Sequence, residues 1–308
     1  MINRILIRIK ILQIIYAYYQ SGANDLKTAE TEFLFSLRKS YDLYHYFLLI
    51  ITSITNILDR TLDNRKHRYA PTQEELYPNM RLVNNRFAEQ LSRNEDLLRY
   101  VNEYKISWDN DRDFLKTILE DVLASSLYAD YLENPDDSYK TDKEFWRAAF
   151  KKFVCGNEKA SEYLEDMSIF WNDDIEIVGT FTLKTIKQFK EQEGSRQPLL
   201  PMFKDEETRM FAVKLFRESL LHGVEIRERI GRQMKNWETE RVANMDLIVM
   251  QIAVAEVMAF PSIPVNVSLN EYIDMAKYYS TPKSGLFING ILDAVVGELK
   301  KEKVIFKD

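Results

Sequence analysis

Between Asp246 and Phe260 the chain reads DLIVMQIAVAEVMAF, and only Asp246, Gln251 and Glu256 in it are strongly polar. At 3.6 residues per turn no solvent-facing stripe of ordinary width survives, so this segment is a helix packed on most sides. Pro261 and Pro264 stop it. Ser268, with Glu271 three positions on, has the spacing of a capping box that opens the next helix. Thr281-Pro282 and Ser284-Gly285 punctuate again, after which Ile288, Ile291, Leu292, Val295 and Leu299 form a stripe at helical spacing. A compact helical bundle follows from this pattern.

The rest of the chain agrees with an all-α class. Only 9 Gly and 8 Pro occur in 308 residues, set against long runs of helical periodicity, and 45% hydrophobic content supplies a sizeable core. The first helix, about residues 2–19, is apolar nearly all round and is therefore contacted from more than one direction. A longer helix is expected over about 28–60, then a loop or boundary over 61–80 with Pro71 and Pro78 about an acidic turn. Further helices are expected near 81–106, 111–132, 141–152, 158–171 and 173–192, and residues 191–204 read as a linker. No repeat of fixed period stands out.

Chemistry is scarce. His45, His67 and His222 are far apart and none has a partner at metal-ligand spacing, so no metal or cofactor is expected. No glycine-rich phosphate loop and no GxSxG occurs, and Cys155 has no neighbouring His. Asp136-Asp137 and Asp173-Asp174 read as helix starts or solvated charge, so no catalytic residue is assigned and the chain is not expected to be an enzyme. A single cysteine rules out an internal disulfide framework and fits a reducing cytoplasm, and no secretion signal or membrane span is evident.

A net charge of −6 argues against a protein that binds nucleic acid over its whole surface, but not against a local basic site. Two such sites are candidates. Arg4, Arg8 and Lys10 lie in the acid-free first 24 residues, and Arg60, Arg65, Lys66, His67 and Arg68 cluster after the long helix. The second reads more naturally as a solvated loop.

Certain residues also carry a family resemblance. Asn236-Trp237, Arg241, Asp246, the 252–256 segment, Ile263-Pro264, Val267, Asn270-Glu271, Ala276-Lys277 and the run from Phe287 to Asp293 together resemble the C-terminal half of the NusB family of bacterial transcription antitermination factors. Arg4, Arg8, Leu12-Gln13 and Tyr16 are similar to the family's opening pattern. The resemblance covers roughly the first 20 and last 100 residues. It implies a NusB-like helical core over 1–22 and 205–308, with an additional helical extension over 23–204, part of 28–60 belonging to one or the other.

The resemblance further implies a factor that binds boxA-type RNA together with the ribosomal protein NusE, in an antitermination complex with RNA polymerase on ribosomal RNA operons. Arg4, Arg8 and Lys10 are then the RNA-binding cations, with Arg65, Lys66 and Arg68 as additions from the extension. Tyr16, Asp246, Lys283 and Phe287 fall at partner-binding positions, Lys283 standing where the family has an acid. The competing expectation is a non-enzymatic protein-binding adaptor with little RNA affinity of its own.

Overall fold

The computed structural model describes residues 1–22, 25–234, 244–281 and 284–307, and among them the only β-structure is an isolated parallel bridge between Ile2 and Phe203. The chain is all-α. It divides into two compact units, one of Met1 with residues 38–202 and one of residues 2–37 with 203–308.

The helices α1 (Arg4–Gln20) and α2 (Leu26–Lys66) open the chain. Asn3 caps α1 by accepting from the Leu6 amide at 2.9 Å. α2 starts close to the expected residue 28 but does not stop at 60, and the unit boundary falls inside it, at Leu37–Arg38, rather than at residue 22. The physical reason is side-chain packing: Phe33 stacks on Phe216 at 4.7 Å, and Glu30 holds Arg217 through two hydrogen bonds of 2.7 Å. These turns of α2 thus belong with the C-terminal helices.

The unit of residues 38–202 adds α3 (Gln73–Leu76), α4 (Arg86–Ser92), α5 (Glu95–Tyr104), α6 (Arg112–Leu123), α7 (Ser126–Glu133), α8 (Tyr139–Phe150), α9 (Glu158–Met167) and α10 (Ile175–Gln188). Where one helix is expected over 81–106 there are two, because buried Asn94 caps α5 by accepting from Leu97 N at 3.0 Å and cannot continue α4. The expected linker over 191–204 is also packed rather than free. Asn94 donates to Gln197 O at 2.7 Å, Gln90 donates to the carbonyls of Lys190 and Gly194, and Leu199 is buried. The core gathers around α8, which packs on α4, α7 and α10, with Phe47 of α2 edge-on to Phe150 at 5.3 Å.

The C-terminal helices are α11 (Glu206–Leu221), α12 (Gly223–Gln233), α13 (Asn244–Ala259), α14 (Val265–Tyr279) and α15 (Ser284–Lys301). α13 is the apolar segment read from sequence, and it packs against α1, α11, α12, α14 and α15. Its residues 248–257 are all buried. The expected capping box is absent: α14 starts four residues earlier, after Pro264, and the Ser268 and Glu271 side chains are engaged elsewhere.

Candidate functional site

The three polar residues of α13 organise the unit of residues 2–37 and 203–308. A buried polar group costs free energy unless it is hydrogen-bonded, so each had to find a partner on a neighbouring helix. Asp246, in the first turn, accepts from Ser284 Oγ of α15 at 3.1 Å. One turn and a half on, Gln251 donates to Ser219 O of α11 at 2.5 Å and to the Tyr19 hydroxyl at 2.9 Å, and accepts from Arg227 Nε of α12 at 2.6 Å. The Arg227 guanidinium also lies 3.8 Å over the Tyr19 ring. A Cβ at Gly223 would stand 2.8 Å from Gln251 Nε2 and 2.9 Å from the Tyr19 hydroxyl, so only glycine leaves room for this junction.

Glu256 completes the series. Its two oxygens accept from Arg8 Nε and Nη2, each at 2.8 Å, and from Ser268 Oγ and the Tyr272 hydroxyl, each at 2.8 Å. Arg8 Nη1 reaches Glu271 at 2.9 Å. The Arg8 and Glu256 side chains are 4% and 0% exposed. Burial alone would push the Glu256 carboxyl up, but the hydrogen bonds and charge of Arg8, with help from Ser268 and Tyr272, hold it below its ordinary value. Burial likewise opposes the charge on Arg8, and Glu256 more than offsets that, so Arg8 stays protonated beyond the usual guanidinium range.

Two of the three expected N-terminal RNA contacts are therefore corrected. Arg8 is an internal ion-pair partner with its donors aimed at carboxylates, and Lys10 is 0% exposed. Neither presents a cation to a phosphate. Arg4 does reach the surface, with 39% of its side chain exposed, but it pairs with Glu207 at 2.8 Å and lies 4.9 Å from the Phe211 ring centroid.

The expected partner-binding residues divide in the same way. Tyr16 is 38% exposed on α1, and Phe287 is half-buried beside fully projecting Leu286 on α15. Asp246 is corrected: it is buried and ties α13 to α15 instead of standing at the surface. Lys283 lies outside the described residues.

In the other unit, Arg65, Lys66, His67 and Arg68 are exposed at and beyond the C-terminus of α2, where cations complement the helix dipole. Arg68 pairs with Glu75 at 2.9 Å and His67 accompanies Asp63 at 3.4 Å. Cys155 is half-buried, and burial pushes its thiol up to about 12, which removes the thiolate needed for nucleophilic work near neutral pH. Among the described residues no group of three His, Cys, Asp or Glu side chains could hold a metal ion, and no helix is long and apolar enough to cross a membrane.

Glu207 was not singled out from sequence, and Glu256 and Glu271 were named only as a polar residue of the apolar helix and as a capping partner, although a further signal was available for Glu256. A carboxylate inside an otherwise apolar helix demands a buried cation, and Arg8 in the equally apolar α1 is the natural partner.

A central helix riveted by three buried polar side chains, within a unit built from α1, the first turns of α2 and the last five helices, defines an all-α bundle. Residues 180–297 match the family model described as the NusB family. The transcription antitermination protein NusB of Salinibacter ruber is 37% identical over 123 residues, covering 38% of this chain and 77% of the relative. Those of Chloroherpeton thalassium and Koribacter versatilis are 40% and 39% identical over 97 and 99 residues, each covering 32% of this chain, and 46% and 68% of the respective relatives. No solved structure matches. The chain belongs to the NusB family.

Proposed function

We propose that this chain is a transcription antitermination factor that binds boxA-type RNA jointly with ribosomal protein NusE, in the complex that lets RNA polymerase read through terminators on ribosomal RNA operons. The likeness of residues 180–297 to NusB carries this reading, since it spans α11 to α14 and most of α15, the helices that build the bundle about α13. Tyr16, Phe287 and Leu286 are surface apolar groups suited to a protein partner, because aromatic anchors dominate interface energetics. No covalent step is required of the bundle.

RNA contact in this reading falls to Arg4 from the core and to Arg65 and Lys66 from the extension. Loss of Arg8 and Lys10 to the interior shrinks the core's electrostatic footprint. One exposed cation on α1 gives a salt slope of only about −0.7 per phosphate contact for a single strand, so RNA binding depends on NusE. Fluorescence anisotropy of labelled boxA RNA, titrated with the full chain in the presence and absence of NusE, tests this. Marked tightening by NusE is expected. Equal affinity with and without it would refute joint binding.

The burial of Arg8 and the Arg4–Glu207 pair also favour a second reading, a protein-binding adaptor with little RNA affinity of its own. In the same titration that reading gives NusE binding without RNA retention in the complex.

A further inference from the structure

The segment after α2 has two features that the fold does not use. Tyr69 is wholly exposed and Tyr77 is 80% exposed, although a tyrosine ring usually finds an apolar contact. Each sits close before a proline, at Pro71 and Pro78, which narrows the backbone conformations around it.

The turn between them is braced. Thr72 and Glu75 form a reciprocal capping box at the start of α3, and Glu75 also receives Arg68 at 2.9 Å. One carboxylate thus ties the chain just before Tyr69 to the chain just before Tyr77. On the last turns of α2, just before this turn, come Arg60, Arg65 and Lys66, all with exposed side chains; Arg60 lowers the pKa of Asp109 through its charge. Asp59, Asp63 and Glu74 lie on the same segment, so the net field is weak and long-range attraction of a polyanion is small.

We propose that Tyr69 and Tyr77, with Arg65 and Lys66, form a stacking site for single-stranded RNA on the extension. The site rests on the RNA-binding reading given above and adds to it the class of contact and the kind of strand. Exposed rings held in a braced turn offer π-faces to unstacked bases at small ordering cost, and the two cations meet the intervening phosphates. A duplex keeps its bases stacked on one another and cannot use the rings. Binding that relies on stacking more than charge has a shallow salt dependence, with a slope near about −1.4 for two phosphate contacts on a single strand.

The test uses the full chain with its protein partner and a fluorescein-labelled single-stranded RNA of about 12 nucleotides, within the usual footprint of such sites. Tyr69→Ala with Tyr77→Ala should weaken binding about tenfold or more, while Tyr69→Phe with Tyr77→Phe should stay near the parent chain. Arg65→Ala with Lys66→Ala should flatten the salt slope, and a duplex of the same sequence should bind no better to the parent than to the alanine pair. All these side chains are exposed, so the variants keep the fold.

If the alanine pair binds RNA as the parent does, this site is overturned while the RNA reading stands. If the parent binds no RNA even with its partner, the RNA reading falls and the site with it. Loss of protein-partner binding without loss of RNA binding would also overturn the site, making the turn a protein-docking element.

Discussion

Replacing Arg8 with Ala separates an internal lock from an RNA ligand. The substitution removes two of the four hydrogen bonds to Glu256 and, among the described residues, the only cation bonded to it, leaving a fully buried carboxylate hydrogen-bonded by Ser268 and Tyr272. Breaking a buried ion pair from one side costs about 3–5 kcal/mol. With about 2–4 °C per kcal/mol for a body of 150–250 residues, the melting temperature should fall by roughly 6–20 °C. The pH dependence gives a sign test. In the parent, the Glu256 pKa is depressed on folding, so its contribution is present above its unfolded pKa and lost as pH falls through the folded one. In the variant the Ser268 and Tyr272 hydrogen bonds alone oppose burial, the largest of the causes, so the folded pKa rises and stability is lost as pH rises instead. Arg8→Ala should therefore be less damaging near pH 4 than near pH 7. Replacing both partners, as Arg8→Met with Glu256→Leu, should recover much of the loss. Circular dichroism melts across pH, with hydrogen exchange of α1 and α13, read all of this. An Arg8→Ala chain that melts within about 1 °C of the parent yet loses RNA binding would refute the lock.

Other consequences are equally direct. Glu207→Gln removes the acid that competes with phosphate for Arg4, so RNA binding by the NusE complex should tighten and its salt slope steepen by about 0.7, read by anisotropy at several salt concentrations; no change would remove Arg4 from the RNA surface. Gly223→Ala forces apart the Tyr19–Gln251 junction and should cost about 1–3 kcal/mol in urea unfolding, whereas Gly231→Ala, with open space around it, should be tolerated. His45 is buried with its pKa lowered to about 4 by burial, despite its hydrogen bond with Tyr41 O, so its neutral form is the one the fold accepts. Its contribution is present above the unfolded value of about 6.5 and lost as pH falls toward 4, and His45→Gln should flatten the stability profile across that window.

The helical class and the central position of α13 were legible because an apolar face all round a helix has one physical meaning. The bundle's cations were not. Spacing places Arg4 and Arg8 on one side of α1, but whether a guanidinium meets water or a carboxylate depends on Glu256 and Glu207, more than 200 residues away, as the 248-residue separation of Arg8 from Glu256 shows. Ser268 and Glu271 have the spacing of a capping box, yet that same cluster draws both side chains away from the helix start. Nor does the weakening of helical pattern after residue 60 mark a boundary. α2 runs on to Lys66, and the turn beyond it is fixed by Glu75 serving both Thr72 and Arg68. Within the expected helix over 81–106, Asn94 was one polar residue among many; its burial against Gln197 turns it into a cap.

The most direct test of joint RNA and partner binding is a thermodynamic cycle by isothermal titration calorimetry: NusE into the full chain, boxA RNA into the chain alone, and boxA RNA into the preformed complex with NusE. Linkage requires that if NusE tightens RNA binding, RNA tightens NusE binding by the same factor. The structure, with Arg8 and Lys10 inside the protein and Arg4 paired, predicts weak RNA binding to the chain alone and at least about tenfold tighter binding to the complex, a coupling of about 1.4 kcal/mol. RNA affinity identical in the two titrations, or NusE that fails to bind the chain at all, would contradict it.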